Sequence, residues 1–149
     1  MPLDERPPAG PRGRTGASAE VAAGRWLSAA GWVVLARNLR VGPDELDLVA
    51  LDPQHVPVVV EVRARSGPAF GSGTESVDTR KVGRLYRAAA TLRRHGHPAL
   101  PLGSFPVPLR VDLVTLRRDR LGRWQVEAHL RGLEPPEPGA AAGRRRRSW

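Results

Sequence analysis

The stretch that decides the fold reads DELDLVALDPQHVPVVVEVRAR and spans residues 44–65. Both of its ends are rich in apolar and β-branched residues, which predicts two strands, over residues 45–51 and 56–65. Residues 52–55 read DPQH, and the proline in this short polar segment predicts a turn. The sequence therefore predicts a β-hairpin at this point of the chain.

The alternation of side chains along a strand assigns the residues of this hairpin to faces, because residues two apart point the same way. On the first strand one face carries Glu45, Asp47 and Val49, and the other carries Leu46, Leu48 and Ala50. On the second strand one face carries Val59, Glu61 and Arg63, and the other carries Val58, Val60 and Val62. A turn about Gln54 pairs Val49 with Val59, Asp47 with Glu61, and Glu45 with Arg63. A slip of one residue would put the two polar sets on opposite faces, which favours this register.

Two carboxylates that face each other across a hairpin predict a cation site. The Cβ atoms of such a pair are about 5 Å apart, and the two charges of Asp47 and Glu61 repel unless a cation lies between them. Magnesium, with manganese as an alternative, suits a site of one or two carboxylates, water and phosphate oxygens. The alternative is that both carboxylates form ion pairs with nearby arginines such as Arg63 and Arg65.

The remaining pattern predicts one domain with two tails. Helices are expected over residues 15–30 and 77–95, a strand over 32–35, and a second hairpin from strands 109–116 and 124–130. The predicted order α-β-β-β-α-β-β is that of an α/β fold with a mixed β-sheet flanked by helices. Residues 15–133 form the predicted domain, residues 1–14 a disordered arm and residues 134–149 a disordered basic tail. The Gly/Ser-rich loop over residues 66–76 either closes over a substrate or is a plain linker.

The composition restricts the class of protein. The net charge of +9 favours a polyanionic partner, and the chain remains basic without the arginine run at 144–147. The absence of cysteine excludes disulfides and thiolate metal sites. No apolar run is long enough to span a bilayer, and the first residues lack the apolar segment of a signal peptide, so we expect no membrane partner and a cytoplasmic location.

A stripe of basic residues on the second helix predicts a surface for nucleic acid. Arg80, Arg84, Arg87 and Arg94 recur at spacings that place them on one helix face, with no acidic residue within the stripe. Such a face can follow a phosphate backbone with salt-sensitive affinity. The alternative is an ordinary solvated helix face.

Histidine and tryptophan residues receive structural interpretations. His95 and His97 lack a third ligand at workable spacing, so the end of a helix is favoured over a metal site. We expect Trp26 and Trp32 in the core, and Trp124 on the inner side of the second hairpin.

Several short motifs resemble the YraN family of uncharacterised bacterial proteins, whose pattern reads approximately RNxR, GEIDLIA and VFVEVKxR. Residues 37–40 read RNLR, 44–50 read DELDLVA and 59–65 read VVEVRAR. Further on, RVDLV at 110–114 and AHL at 128–130 resemble later strands of the family. The resemblance covers about residues 14–133, and its strength lies in the ordered succession of the motifs. Glu20 and Lys81 occupy the positions of a helix glutamate and a helix lysine in the family.

The resemblance implies the fold of Holliday-junction resolvases and type II restriction enzymes, whose core motif is PD-(D/E)xK. It implies Asp47 and Glu61 as magnesium ligands and Glu20 as a third carboxylate. It further implies an endonuclease that acts on structured or branched DNA, without a small-molecule cofactor. Resolvase-like enzymes often act as homodimers on two-fold substrates. Further contacts to nucleic acid are expected from Arg40, Arg65 and Lys81, in addition to the arginine stripe.

Two positions depart from the motif. Arg63 stands where the motif has lysine; it remains charged and cannot act as a neutral base, although it can stabilise negative charge on phosphate. Pro43-Asp44 has the letters of the motif, but Asp44 has the wrong parity to face Glu61, so Asp47 is preferred. The alternative function is therefore a non-catalytic nucleic-acid-binding module, or an adaptor that docks on a nucleoprotein.

Overall fold

The structure is a computed structural model that describes residues 11–65, 78–101, 105 and 108–137, with side chains from residue 19 onward. Its elements follow in the order α1 (Pro11–Ala29), β1 (Val33–Val41), β2 (Asp44–Leu51), β3 (Pro57–Arg65), α2 (Thr79–His95), β4 (Arg110–Arg118) and β5 (Trp124–Leu130). The predicted α/β class and the order α-β-β-β-α-β-β are confirmed. Within the described residues, no helix combines the length and apolar character needed to cross a membrane.

The five strands form one mixed sheet in the order β1-β2-β3-β4-β5. Three neighbouring pairs are antiparallel, and β3 and β4 are parallel, from Val58–Arg110 to Arg65–Arg117. Parallel neighbours need a long crossover connection, and the chain segment that contains α2 supplies it. The carboxyl ends of β3 and β4 therefore lie at the same edge of the sheet.

Each face of the sheet carries its own hydrophobic cluster. The cluster that includes α2 contains Val49, Val59, Leu85 and Leu92, and the cluster that includes α1 contains Leu27, Leu48, Val60 and Val114. The first four residues of β3 are buried, as expected for a central strand covered on both sides. Val82, Leu85, Ala89 and Leu92 recur at helical spacing along α2, and all four are buried.

The turn between β2 and β3 is organised by Asp52. This buried carboxylate accepts hydrogen bonds from the backbone N–H groups of Gln54, at 2.8 Å, and Val56, at 3.0 Å. Beyond the turn, the predicted pairing of Val49 with Val59 is confirmed, and the pairing of β2 with β3 ends at Leu48–Val60.

Several boundaries differ from the predicted ones. The first helix begins at Pro11, so residues 11–14, which were assigned to the disordered arm, are helical. The strand predicted over 32–35 extends to Val41, because it is an edge strand that pairs with β2 even where its side chains are polar and exposed. The second helix begins at Thr79, where the carboxylate of Asp78 accepts a hydrogen bond from the N–H of Arg80 at 2.9 Å. Residues 1–10, 66–77 and 138–149 lie outside the described residues. These ranges contain the rest of the predicted arm, the Gly/Ser-rich loop and most of the predicted tail.

The predicted alternation fails at one point of β2. Leu46 was expected to share a face with Leu48, but it packs in the α2-side cluster with Leu39, whereas Leu48 packs on the α1 side. Opposite this point, Asn38 of β1 has a φ of 49°, in the left-handed region. The change of face on both strands therefore coincides with Asn38 and Asp47.

The three tryptophans of the described chain differ in burial. Trp32 is buried as predicted, and Trp124 packs at the edge of the α1-side cluster. Trp26 is 40% exposed, so its prediction as a core residue is wrong. It lies on the outer flank of α1, where its ring meets the edge of His129 at a centroid distance of 5.7 Å.

Candidate metal centre

Asp47 and Glu61 lie where β2 and β3 separate. Beyond Leu48–Val60, β2 continues its pairing with β1, and β3 continues its pairing with β4. Asp47 and Glu61 are the first residues past this point on their strands. The Asp47 carboxylate accepts a hydrogen bond from the N–H of Val62 at 2.8 Å, which holds it against the other strand. The structure thus brings the two predicted carboxylates together at a fork in the sheet.

Glu20 of α1 is a third carboxylate near the fork, and its side chain interacts with that of Asp47. Burial raises the pKa of Glu20 to about 7, and the charge of Asp47 and a hydrogen bond with Asp47 act in the same direction. A hydrogen bond from the side chain of Asn38 opposes this rise. Glu20 therefore lies close enough to Asp47 for the two carboxylates to influence each other.

Glu61 is the more deeply buried glutamate of the site. Burial and the neighbouring charge of Asp47 raise the pKa of Glu61 to about 7, whereas the charge of Lys81 lowers it. The Oε2 atom of Glu61 is buried and has no hydrogen-bond partner among the described residues. A buried carboxylate oxygen without a partner is costly, and a bound cation would remove that cost.

Lys81 brings a positive charge to the fork from α2. Its Nζ atom lies 3.6 Å from Oε1 of Glu61, and it is the only lysine of the chain. Because α1 supplies Glu20 and α2 supplies Lys81, both helical layers contribute to the site. The cationic group beside Glu61 therefore comes from α2.

The fork has the chemistry of a two-carboxylate cation site. Carboxylate oxygens are the ligands that Mg²⁺ prefers, and this ion keeps several water molecules in its coordination shell. The described residues contain no group of three or more acidic or histidine side chains arranged around one metal position. The residues present therefore fit a metal held by Asp47 and Glu61 and completed by water or substrate oxygens.

Arg63 and Arg65 follow Glu61 on β3. Both are half-buried, and they pair with Thr115 and Arg117 of β4 respectively. The predicted pairing of Glu45 with Arg63 does not form, because the register of β2 with β3 ends at Leu48–Val60. On its other side, Glu45 pairs with Arg40 of β1. The separation of β2 from β3 at the fork thus also keeps Arg63 of β3 from pairing with a residue of β2.

The arginine stripe of α2 is exposed, as predicted, at Arg80, Arg84, Arg87 and Arg94. The expectation that no acidic residue neutralises it is wrong at Arg87. Asp44 of β2 accepts hydrogen bonds from Nε and Nη2 of Arg87 at 3.0 to 3.3 Å. Asp44 is thereby engaged away from Glu61, in agreement with the preference for Asp47. Arg40 forms a longer ion pair with Glu45, at 3.9 Å.

A buried polar network was missed by the sequence interpretation. Arg110 lies 3.1 Å from the carboxylate of Asp52 and 2.8 Å from that of Asp112. Asp112, which has no exposed surface, also contacts Nε2 of His129 at 2.8 Å and accepts from the N–H of Gly132 at 2.9 Å. Through Arg110, the contacts of this one buried aspartate tie the β2–β3 turn to the segment after β5. The aspartate within the apolar run RVDLV was the available signal.

His97, at the end of α2, is also held by local contacts. Its Nε2 atom lies 2.9 Å from the carbonyl oxygen of Arg40, and its Nδ1 accepts from the N–H of Ala99 at 3.0 Å. Both ring nitrogens are therefore used within the connection that follows α2.

Comparison with known proteins places this arrangement in a family. The chain is similar to UPF0102 proteins of Beutenbergia cavernae, with 44% identity over 79% of this chain and 93% of the relative, and Bordetella parapertussis, with 41% identity over 79% and 72%. It is also similar to a UPF0102 protein of Parafrankia sp., with 40% identity over 80% of this chain and 94% of the relative.

Among solved structures, the chain is similar to Pyrococcus furiosus SfsA in complex with Ca²⁺. The TM-score is 0.36 at 16% identity, and the match covers 78% of this chain and 62% of the length of that chain.

Residues 19–116 match the family described as uncharacterised protein family UPF0102, and this range contains the three carboxylates and the lysine of the fork. The resemblance to the YraN family is confirmed by this match. On the family match and on identities of 40% or more to relatives covered over most of their length, the chain belongs to the UPF0102 family.

Proposed function

We propose that the protein is a magnesium-dependent endonuclease that acts on structured or branched DNA, with Asp47 and Glu61 as the metal ligands. One observation carries the proposal. Three carboxylates and a lysine converge where two strands separate, and one buried oxygen of Glu61 has no partner among the described residues. A divalent cation would stabilise the carboxylates of such a site, and an anionic substrate would be attracted by the cation and by Lys81.

The residues of the site have different roles in the proposed reaction. A bound magnesium ion would polarise the scissile phosphate and lower the pKa of a coordinated water molecule. The ammonium group of Lys81 stabilises negative charge that develops on the phosphate, since its position beside Glu61 sets it close to the metal ligands. Glu20, with its pKa raised to about 7, can hold or release a proton near neutral pH. Arg63 contributes positive charge without accepting a proton.

The charge distribution supports nucleic acid as the substrate. The chain carries a net charge of +9, and the exposed arginines of α2 lie on the same helix as Lys81. Contacts of this kind bind the phosphate backbone with little dependence on sequence. Manganese, which accepts the same hard ligands, is expected to replace magnesium.

A second candidate function is a binding module of the same fold that does not cleave. The observation that favours it is Arg63, which replaces the lysine of the motif. In this case nucleic acid, or a nucleoprotein contacted through the arginines of α2, would bind without turnover.

Cleavage of labelled DNA tests the two candidates. The substrates are duplex, single-stranded and four-way-junction DNA, with magnesium, with manganese, or with EDTA. Asp47→Asn and Glu61→Gln are expected to reduce metal-dependent cleavage by about 100-fold or more, because even outer-shell changes around metals cost up to that factor. Asp44→Asn is the matched control, since it removes a carboxylate of the same strand that pairs with Arg87.

The outcomes separate the candidates. Cleavage that persists undiminished in both Asp47→Asn and Glu61→Gln rules out the carboxylate site. Binding of DNA without cleavage by the wild-type protein favours the binding module.

A further inference from the structure

A cavity lined by arginines lies outside the fork, between α1 and the hairpin of β4 and β5. It is an open cavity of about 410 Å³, large enough for a small ligand or for part of a nucleic-acid strand. Arg25 of α1 lines one side, and Arg118, Arg123 and Trp124 of the hairpin line the other. Three guanidinium groups around one concavity are suited to phosphate, which arginine binds through paired N–H donors.

Two of the three arginines are held in place before any ligand binds. The guanidinium carbon of Arg118 lies 4.6 Å from the ring centroid of Trp124, a cation–π contact that orients it. Nε of Arg123 lies 3.2 Å from the carboxylate of Asp119, which also accepts from the backbone N–H groups of Leu121 and Arg123 within the turn. Ordered side chains lose less entropy on binding.

The charge of this cavity is only partly compensated. Among its three arginines, Arg123 is the one with an acidic partner in the described part of the chain. On α2, by contrast, Asp44 engages Arg87 through three hydrogen bonds in the middle of the predicted stripe. Arg25 and Arg118 of the cavity therefore carry positive charge that no acidic partner among the described residues compensates.

The cavity and the fork are connected by shared elements. Glu61 pairs with Leu113 of β4, and Arg118 lies five residues further along that strand, a distance of about 17 Å at the rise of a strand. On α1, Arg25 follows Glu20 by five residues, a rise of about 7.5 Å along the helix axis. A duplex advances by about 3.4 Å per base pair, so these two separations correspond to about two base pairs along α1 and about five along β4.

We propose that this cavity binds the phosphate backbone of a nucleic-acid strand whose scissile bond lies at the fork. The identity of the ligand as nucleic acid rests on the proposed function, whereas the recognition of phosphate rests on the three arginines and their geometry. The cavity positions the substrate and takes no part in the cleavage chemistry. It adds a contact surface on α1 and the β4–β5 hairpin, apart from the stripe on α2.

Binding of a labelled 20-base-pair duplex to the full-length chain tests this site. Fluorescence anisotropy in EDTA measures the affinity without cleavage. Arg25→Gln removes an exposed charge of the cavity, and Arg120→Gln is the matched control, because Arg120 is exposed in the adjacent turn and does not line the cavity. Arg25→Gln is expected to weaken binding about tenfold, as for loss of one charged hydrogen-bonding contact. It should also reduce the slope of log Kd against log salt by about 1, while Arg120→Gln leaves both quantities nearly unchanged.

Equal effects of Arg25→Gln and Arg120→Gln would overturn the proposal, because they would indicate general attraction rather than a site. It is also overturned if calorimetry with inorganic phosphate shows a loss of phosphate binding in Arg25→Gln while duplex binding is unchanged, since the ligand is then a free phosphate compound. Failure of the proposed function is recognised separately. In that case no cleavage depends on Asp47 or Glu61, yet Arg25→Gln still weakens duplex binding in EDTA.

Discussion

Nζ of Lys81 lies 3.6 Å from Oε1 of Glu61, so the only lysine of the chain reaches from α2 to a partly buried glutamate of the sheet. The contact lowers the pKa of Glu61 against the effects of burial and of Asp47. Lys81 therefore favours the ionised form of a proposed metal ligand.

Replacement of Lys81 by methionine is expected to raise the pKa of Glu61 further, because the stabilising positive charge is lost. The acidic limb of the pH–rate profile for metal-dependent cleavage should then move to higher pH. Carbon-13 NMR titration of the Glu61 carboxyl group provides a readout independent of activity. Lys81→Arg is the control, since it keeps the charge, and an unchanged Glu61 titration in Lys81→Met would contradict the assignment.

Replacement of Arg63 by lysine is expected to leave the cleavage rate near that of the wild type, because Lys81 supplies the cationic group beside Glu61. Single-turnover cleavage at neutral pH measures the effect. An increase well above the wild-type rate would instead indicate a site that lacks its motif lysine, and would favour the non-catalytic module.

The metal-free protein is expected to become less stable as the pH rises from about 4.5 to about 7. The pKa values of Glu20 and Glu61 are raised from 4.5 to about 7 on folding, so the folded state binds more protons than the unfolded state in this interval. The contribution is complete below pH 4.5 and is lost as the pH passes 7. Urea unfolding in EDTA at pH 5 and at pH 7.5 measures it, and Glu20→Gln/Glu61→Gln should flatten the difference.

Magnesium is expected to stabilise the folded protein more at pH 7.5 than at pH 5, since its carboxylate ligands must be deprotonated. Thermal unfolding with and without magnesium at each pH measures this difference. Asp47→Asn should remove the stabilisation, while Asp44→Asn should keep it. An equal shift in melting temperature for both variants would exclude Asp47 as a ligand.

Replacement of Asp112 by asparagine is expected to destabilise the fold by about 3 kcal/mol or more, the cost of breaking a buried ion pair. Asp112 has no exposed surface and contacts Arg110, His129 and the backbone of Gly132. Asp44→Asn, which breaks an ion pair whose arginine is exposed, should cost less than about 1 kcal/mol. Equilibrium urea unfolding compares the two variants, and similar losses would contradict the structural role of Asp112.

Features that depend on residues close together in the sequence, such as the β2–β3 hairpin, could be predicted from the sequence pattern. The period of two along β2 and β3 was sufficient to predict the Val49–Val59 pairing. The predicted pairing of Asp47 with Glu61 is not part of the register, which ends at Leu48–Val60, because the two strands separate there. The period failed at Leu46, which lies beside the point where Asn38 of the adjacent strand adopts a left-handed conformation. No pattern within β2 reveals that conformation.

Contacts between distant segments were less predictable. The alternation of side chains within the hairpin gives no information about Glu20 or Lys81, which lie on helices. Only the family resemblance indicated these two positions. The Asp44–Arg87 pair joins residues 43 positions apart, and either residue alone looks like an ordinary surface charge. The network around Asp112 likewise depends on how the turn at Asp52 and the segment after β5 approach Arg110.

The separation of β2 from β3 also has a mechanical consequence. In the sheet order, four residue pairs, from Leu51–Pro57 to Leu48–Val60, join the two-stranded part of the sheet to the three-stranded part. Asp47 and Glu61 stand at the open end of this short seam, one on each part. A small rotation of one part against the other therefore changes the distance between the two carboxylates more than it changes any pair within the seam. The distance between the Asp47 and Glu61 carboxylates, and so the room for a cation, thus depends on how rigidly the β2–β3 pairing holds the two parts together.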